Sequence, residues 1–225
     1  MKQRPILFSG PMVRAILEGR KTQTRRIVKL PHNNPLGTWE PTTIGGANGG
    51  KTAAGETVPL QGGIWHTRTG DCLMSPHGQP GDRLWVRETH VNWWWLDEAN
   101  PEGPRVFSHV AAYAADGYEL QPGEKWIPSI HMLRAASRIT LEITGVRVER
   151  LQSITEADAI AEGIDRTAAG FWSTYGQSEA DGTYSPRLSY QFLWDGLNAA
   201  RGHGWDANPW VWVIQFRRID GPEKR

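Results

Sequence analysis

The stretch Gly19-Arg20-Lys21-Thr22-Gln23-Thr24-Arg25-Arg26 crowds cations and hydroxyls just past the end of an expected short helix. A threonine hydroxyl is a poor nucleophile until a base takes its proton. A lysine amine can be that base only where burial or a neighbouring cation lowers its pKa towards neutrality. Arg20, Arg25 and Arg26 are such cations. Lys21 and Thr24 are three residues apart, so they converge in a tight turn but point to opposite faces of a regular strand. Their cooperation therefore requires a turn or bulge. The plainer alternative is a solvated turn, since Lys-Thr-x-Thr also occurs by chance.

Other groups compete for attention. His66, Cys72, His77 and His90 have no spacing familiar from zinc fingers or zinc hydrolases, so neither a metal nor another cofactor is expected. Ser129-Ile130-His131-Met132, followed by Arg134, Ser137 and Arg138, reads most simply as a loop whose histidine caps a carbonyl. The functional alternative has His131 and Arg138 flanking a pocket and touching a phosphate or base edge. Glu88 is either a partner for Arg20 or Arg87, or a spare active carboxylate. Arg217-Arg218 reads as a solvated edge. Each of the twelve tryptophans could stack on a base, contributing about 1–3 kcal/mol. Trp85, Trp194, Trp210 and Trp212 fall in regular elements, where packing is expected. Trp93-Trp94-Trp95 cannot all face one core, so at least one should line a groove or a partner surface.

The elements that must position these groups follow from period and punctuation. Pro5 to Phe8 suggests a strand. Pro11 suits a first helical position, Val13, Ile16 and Leu17 share a face, and Gly19 is placed as a stop. A loop then enters a strand near Val28. Residues 31–80, centred on Gly45 to Gly50, predict an irregular insertion. Arg83 to Glu88 alternates as a strand with Leu84 and Val86 on its core face. A second variable stretch, about 90–130, holds a turn at 101–104 and a strand near Val106 to Ala114. Ile139 to Leu151 alternates through Gly145 as two strands or one bent strand. Thr155 caps a helix over Glu156 to Glu162, with acids in its first turn and Gly163 as its stop. Pro186 to Ala200 predicts a helix pairing Leu188 with Phe192 and Leu193 with Leu197. Trp210 to Phe216, apolar on both faces, reads as a central strand. The class is a β-rich α+β domain with peripheral helices.

With 225 residues, the chain suits a single domain with insertions. Its net charge of +1 gives no field that would draw it onto a polyanion, so any nucleic-acid contact must come from a local patch. One cysteine excludes an internal disulfide framework and fits a reducing compartment. Mean hydropathy is −0.51. No apolar run is long enough to span a bilayer and no secretory signal opens the chain, so a cytoplasmic protein without membrane association is expected. Nothing in the pattern sets an oligomeric state.

The order of these segments, from the Gly-Arg-Lys-Thr-x-Thr stretch through Gly81-Asp82-Arg83-Leu84-Trp85-Val86 and Ile154 to Ile164 to the final Trp210-Val211-Trp212-Val213, resembles the ASCH domain family. Phage- and prophage-encoded members are the most similar. The resemblance covers roughly residues 1–30, 80–90, 137–165 and 190–219. It implies a PUA-like β-barrel with peripheral helices, elaborated by long insertions at about 31–80 and 90–130 that wall a central pocket. Small bacterial members are amidohydrolases that remove the acetyl group of N4-acetylcytidine with a lysine, a threonine and a glutamate. Those residues fall here on Lys21, Thr24 and Glu162. Glu162 would then orient Lys21 or pass a proton to the departing cytosine amine. Arg26 or a backbone N–H would stabilise the oxyanion, and Arg20, Glu88, His131 and Arg138 would complete the substrate contacts. The family also holds RNA binders and a type that cleaves RNA, so an RNA- or DNA-binding module without hydrolysis is the alternative. A third reading is a phage protein that captures a host partner through an apolar patch at Trp93–Trp95.

Overall fold

The computed structural model describes residues 1–219 except 47–49, 52–54, 96–98, 101, 104–105 and 179. The middle of the glycine tract and the ends of the expected 101–104 turn thus lie outside the described residues. Strand β1 (Gln3–Leu7) leads into α1 (Gly10–Leu17), which carries Pro11 in its first turn and stops before Gly19, at φ +75°. Val13 and Ile16 are buried as their spacing requires. Residues 18–22 turn the chain into β2 (Gln23–Ile27).

The first insertion departs from expectation. It is not irregular but forms an antiparallel sheet of β3 (Trp39–Ile44), β4 (Gln61–His66) and β5 (Cys72–Met74). Gly62 and Gly63 carry no side chain to display the two-residue period, which hides β4 in the sequence. Strand β6 (Arg83–Arg87) follows, then a separate ribbon of β7 (His90–Trp95) and β8 (Val106–Tyr113). Trp85, expected on the outer face of β6, is also buried, beneath the guanidinium of Arg87 4.8 Å from its ring. The ribbon's register slips twice, and Trp93 and Trp94 lie exposed upon it.

Strand β9 (Thr140–Arg150) is one bent strand. Helix α2 (Glu156–Ala161) begins with a reciprocal capping box between Thr155 and Asp158. Helix α3 (Pro186–Asn198) precedes the last strand, β10 (Trp210–Ile219). The core face of α3 is not the expected leucine pairing. Tyr190 and Trp194 are buried, whereas Leu188 and Leu197 are exposed. The face that counts is the one turned to β10.

The main sheet runs β1-β6-β9-β10-β2, parallel between β1 and β6 and antiparallel elsewhere. Among the described residues it is open, with β1 and β2 at its edges. Strand β10 divides two cores. Trp212, Ile214 and Phe216 join the cluster with Ile6, Phe8, Leu84 and Ile143, while Val211 and Val213 join that of Leu151, Ile164, Tyr190 and Trp194. Burying each such side chain contributes about 1.5–3 kcal/mol. This two-sided burial is why the strand is apolar on both faces. Among the described residues, no helix is long and apolar enough to cross a membrane.

Candidate active site

The turn after α1 is held from three directions. The backbone N–H groups of Arg20 and Lys21 both donate to Ala15 O, Thr22 N–H donates to Ala161 O at the end of α2, and Phe216 N–H of β10 donates to Thr22 O. Gly163, at φ +79°, lets the end of α2 press against this turn. A Cβ there would lie 2.7 Å from Lys21 Cβ and 2.9 Å from Ala15 Cβ, so no larger residue fits.

Lys21 is thereby buried, and its ammonium is fully engaged. Nζ donates to Gln23 O at 2.8 Å, to Glu162 O at 2.8 Å and to Glu162 Oε2 at 2.9 Å. The first of these acceptors is the peptide oxygen immediately before Thr24, so the turn brings the amine back to the start of β2. Burial pulls Lys21 below its ordinary pKa. Glu162 opposes the shift, and Arg26 and Arg25 add to it. Lys21 Nζ and the Arg26 guanidinium each lie 5.4 Å from the centre of the Phe8 ring.

The other oxygen of Glu162 accepts from Arg25 Nη1 at 2.9 Å. Arg25 continues to Glu149 Oε1 at 2.6 Å and to Asp158 at 3.5 Å; Arg147 binds the same two acids, and Gln23 Nε2 donates to Asp158 Oδ1. Burial works against the Arg25 charge, but Glu162, Tyr190 and Glu149 outweigh it and hold the group above its usual value. Because each buried charge has an opposite partner and further hydrogen bonds, the cluster is tolerable without solvent.

Beside this cluster opens a cleft of about 390 Å³ lined by Thr24, Arg26, Glu162, Tyr190 and His77, among others. That volume suits a small molecule, for which sites are usually about 300–1,000 Å³. Thr24 and Arg26 share one face of β2 by the strand period. Burial keeps the Tyr190 phenol well above its ordinary pKa, reinforced by Glu162, and pulls the Arg26 guanidinium down. Among the described residues, a larger recess of about 490 Å³ between β3–β4 and β9 has Arg147 as its only ionisable lining residue.

Several sequence expectations resolve differently. Lys21 and Glu162 meet, and Thr24 and Glu162 face one cleft, but Lys21 stands behind its wall rather than in it. Arg26 lines the cleft, whereas Arg20 turns away to Glu18 and Asp165, beside a separate recess. Glu88 and Arg138 pair with each other, not with Arg20 or Arg87, and neither lines the cleft. His131 is exposed on a single helical turn and lines no part of it. The second insertion contributes no described residue to the lining, and the first contributes His77 alone. The set His66, Cys72, His77 and His90 is dispersed. His66 and His90 are buried, Cys72 is exposed and His77 lies in the cleft. Among the described residues, no group of three or more His, Cys, Asp or Glu side chains is arranged to hold a metal ion. Sequence reasoning named Glu162 but missed Tyr190, Glu149 and Asp158 as members of this cluster and cleft, and weighed His77 only as part of a metal set. The only available signal was the buried register of β9 and α2. No family model, curated protein or solved structure matches this chain.

Proposed function

We propose that the chain is an ASCH-type domain with a PUA-like core, and that its cleft hydrolyses the amide of an N4-acylated cytosine nucleoside. The observation that carries this reading is the buried Lys21–Glu162–Arg25 cluster packed against the wall that presents Thr24 to an open cleft. For the barrel, the support is that Arg26 on edge strand β2 donates to Leu7 O on edge strand β1 at 2.8 Å. The two edges of the sheet thus approach to within one side chain, as closure requires.

In this mechanism burial, which pulls Lys21 below its ordinary pKa, makes the uncharged amine accessible, and Glu162 Oε2 at 2.9 Å holds Nζ in place. This amine takes the Thr24 proton as Oγ attacks the acyl carbon. Charge developing on the carbonyl oxygen meets Arg26. Collapse breaks the bond from the acyl carbon to N4, and N4 leaves with the proton returned by the pair, as the free amine of cytidine. Water then splits the ester on Thr24, releasing the carboxylic acid and restoring the hydroxyl. No metal enters these steps.

The test is acetate release from N4-acetylcytidine by the wild type, Thr24→Ala and Lys21→Ala, with circular dichroism to check folding. Turnover by the wild type alone supports the reading, and inactivity over a panel of N4-acylated cytidines overturns it. One observation favours the nucleic-acid-binding alternative. Lys29 and Arg201 line the cleft, are exposed, and have no carboxylate partner among the described residues. Salt-sensitive retention of an oligonucleotide with no hydrolysis would favour that alternative.

A further inference from the structure

His77 sits in the loop between β5 and β6 and is the only described residue of the first insertion that lines the cleft. Its backbone is firmly placed. His77 N–H donates to Ser75 Oγ at 3.2 Å, and Gln79 N–H reaches Asp82 Oδ2 at 3.4 Å while Asp82 N–H returns a bond to Gln79 O at 2.9 Å. Asp82 is itself buried and held by Arg4 at 2.8 Å and by Lys2 N–H at 2.7 Å. Gly78, at φ +122°, presses on the sheet. A Cβ there would lie 3.0 Å from Arg4 Nη1 and from Ile143 Cδ1.

The side chain is treated differently from the backbone. Neither ring nitrogen has a hydrogen-bond partner among the described residues, although the ring is only partly exposed. Such a group can find its partner only in water or in a ligand. Burial, helped by Arg26 and Arg4, lowers its pKa to about 4, so the ring is uncharged near neutral pH and offers one N–H donor. The same two arginines make the surrounding field positive, which favours an oxygen acceptor over a second cation or donor.

We propose that His77 reads the ligand of this cleft, donating a hydrogen bond from its ring to a carbonyl oxygen of a nucleoside whose acyl amide lies against Thr24. The inference rests on the nucleoside reading given above and adds to it a substrate-binding residue supplied by the insertion.

The experiment uses the full chain with N4-acetylcytidine and cytidine as probes. Imidazole resonances are followed by NMR, with the His77 signals assigned by their loss in His77→Gln. Turnover is measured for the wild type, His77→Ala and His77→Gln. The expected results are a ligand-dependent shift of the His77 resonances, and in His77→Ala a weakening of KM by about ten- to a hundredfold, the loss of one buried hydrogen bond. His77→Gln, which keeps an N–H donor, recovers part of that loss. Binding that leaves the His77 resonances unmoved, absence of binding by either probe, or a KM unchanged in His77→Ala each overturns the inference. A His77 shift without acetate release supports it while removing the hydrolase reading.

Discussion

Two of the clusters that join an arginine to a buried acid differ in what lies beside them. In one, Arg25 links Glu162, Glu149 and Asp158, with Lys21 on the far oxygen of Glu162. In the other, Arg138 grips Glu88 through two bonds of 3.0 Å and Asp116 through two of 2.7 Å, with its guanidinium 3.8 Å from the ring centre of Tyr113. Burial raises the Glu88 carboxyl against the pull of Arg138. Both clusters show buried charge and shifted protonation. Among the described residues, the first borders a cleft lined by Thr24, and neither Glu88 nor Arg138 lines that cleft. Burial and pairing therefore do not distinguish a reactive group from a clamp, whereas unfilled space beside a nucleophile does.

The sharpest way to break this contrast is to remove each carboxylate. Glu162→Ala leaves the fully buried Lys21 without a carboxylate, while Arg25 keeps Glu149 and Asp158, and is expected to cost about 3–5 kcal/mol in urea unfolding. Glu88→Ala leaves Arg138 with Asp116 and should cost only about 1–3 kcal/mol. Equal losses would erase the distinction. Activity sharpens it from the other side. Thr24→Ala should reduce acetate release at least about a hundredfold with little change in unfolding, while Arg138→Ala should lower stability and leave turnover per folded molecule within about twofold.

Acid provides a gentler probe. The His77 pKa falls from 6.5 to about 4 on folding, so the unfolded chain takes up this proton first as pH drops. Stability is then lost between pH 6.5 and about 4. From pH 7 to pH 5 the wild type should lose about 1 kcal/mol more than His77→Gln, a figure reduced for the partial exposure of the ring. An identical pH response in the two proteins would show that the imidazole is not held neutral. The smallest effect belongs to an exposed pair, Arg217 with Glu142 at 3.0 Å. Arg217→Ala should change unfolding by less than about 0.5 kcal/mol, and less still in added salt.

Much of the frame was legible because local rules governed it. Gly19 and Gly163 end helices, Thr155 starts one, and the double-faced apolar run of β10 marks the strand between two cores. The segment holding Lys21 and Thr24 stood out by its crowd of cations and hydroxyls just past a helix end. Glu149 and Asp158 did not stand out as partners of Arg25, because they arrive from β9 and α2, and alternation tells which side a residue faces but not which acid waits there. Asp158 illustrates the difficulty. The residue that closes the capping box of α2 also accepts from Gln23 and Arg147. Helix α3 misled for a related reason: Leu188 and Leu197 are exposed and Leu193 is only partly buried, while Tyr190 takes the inner position near the Arg25 guanidinium, 5.8 Å from the ring centre. His77 was hidden in a segment whose glycines and prolines gave no period to follow.

The turn at residues 20–22 is tied at once to α1, to the last carbonyls of α2 and to β10. Lys21 and Glu162, far apart along the polypeptide, therefore hang from a common bracket. A thermal excursion that tilts either helix carries both groups with it, so their separation is shielded from the breathing of the surrounding fold. A guest molecule entering the cleft would meet Glu162 already set against Lys21 behind the wall, with no need to assemble that pair on arrival.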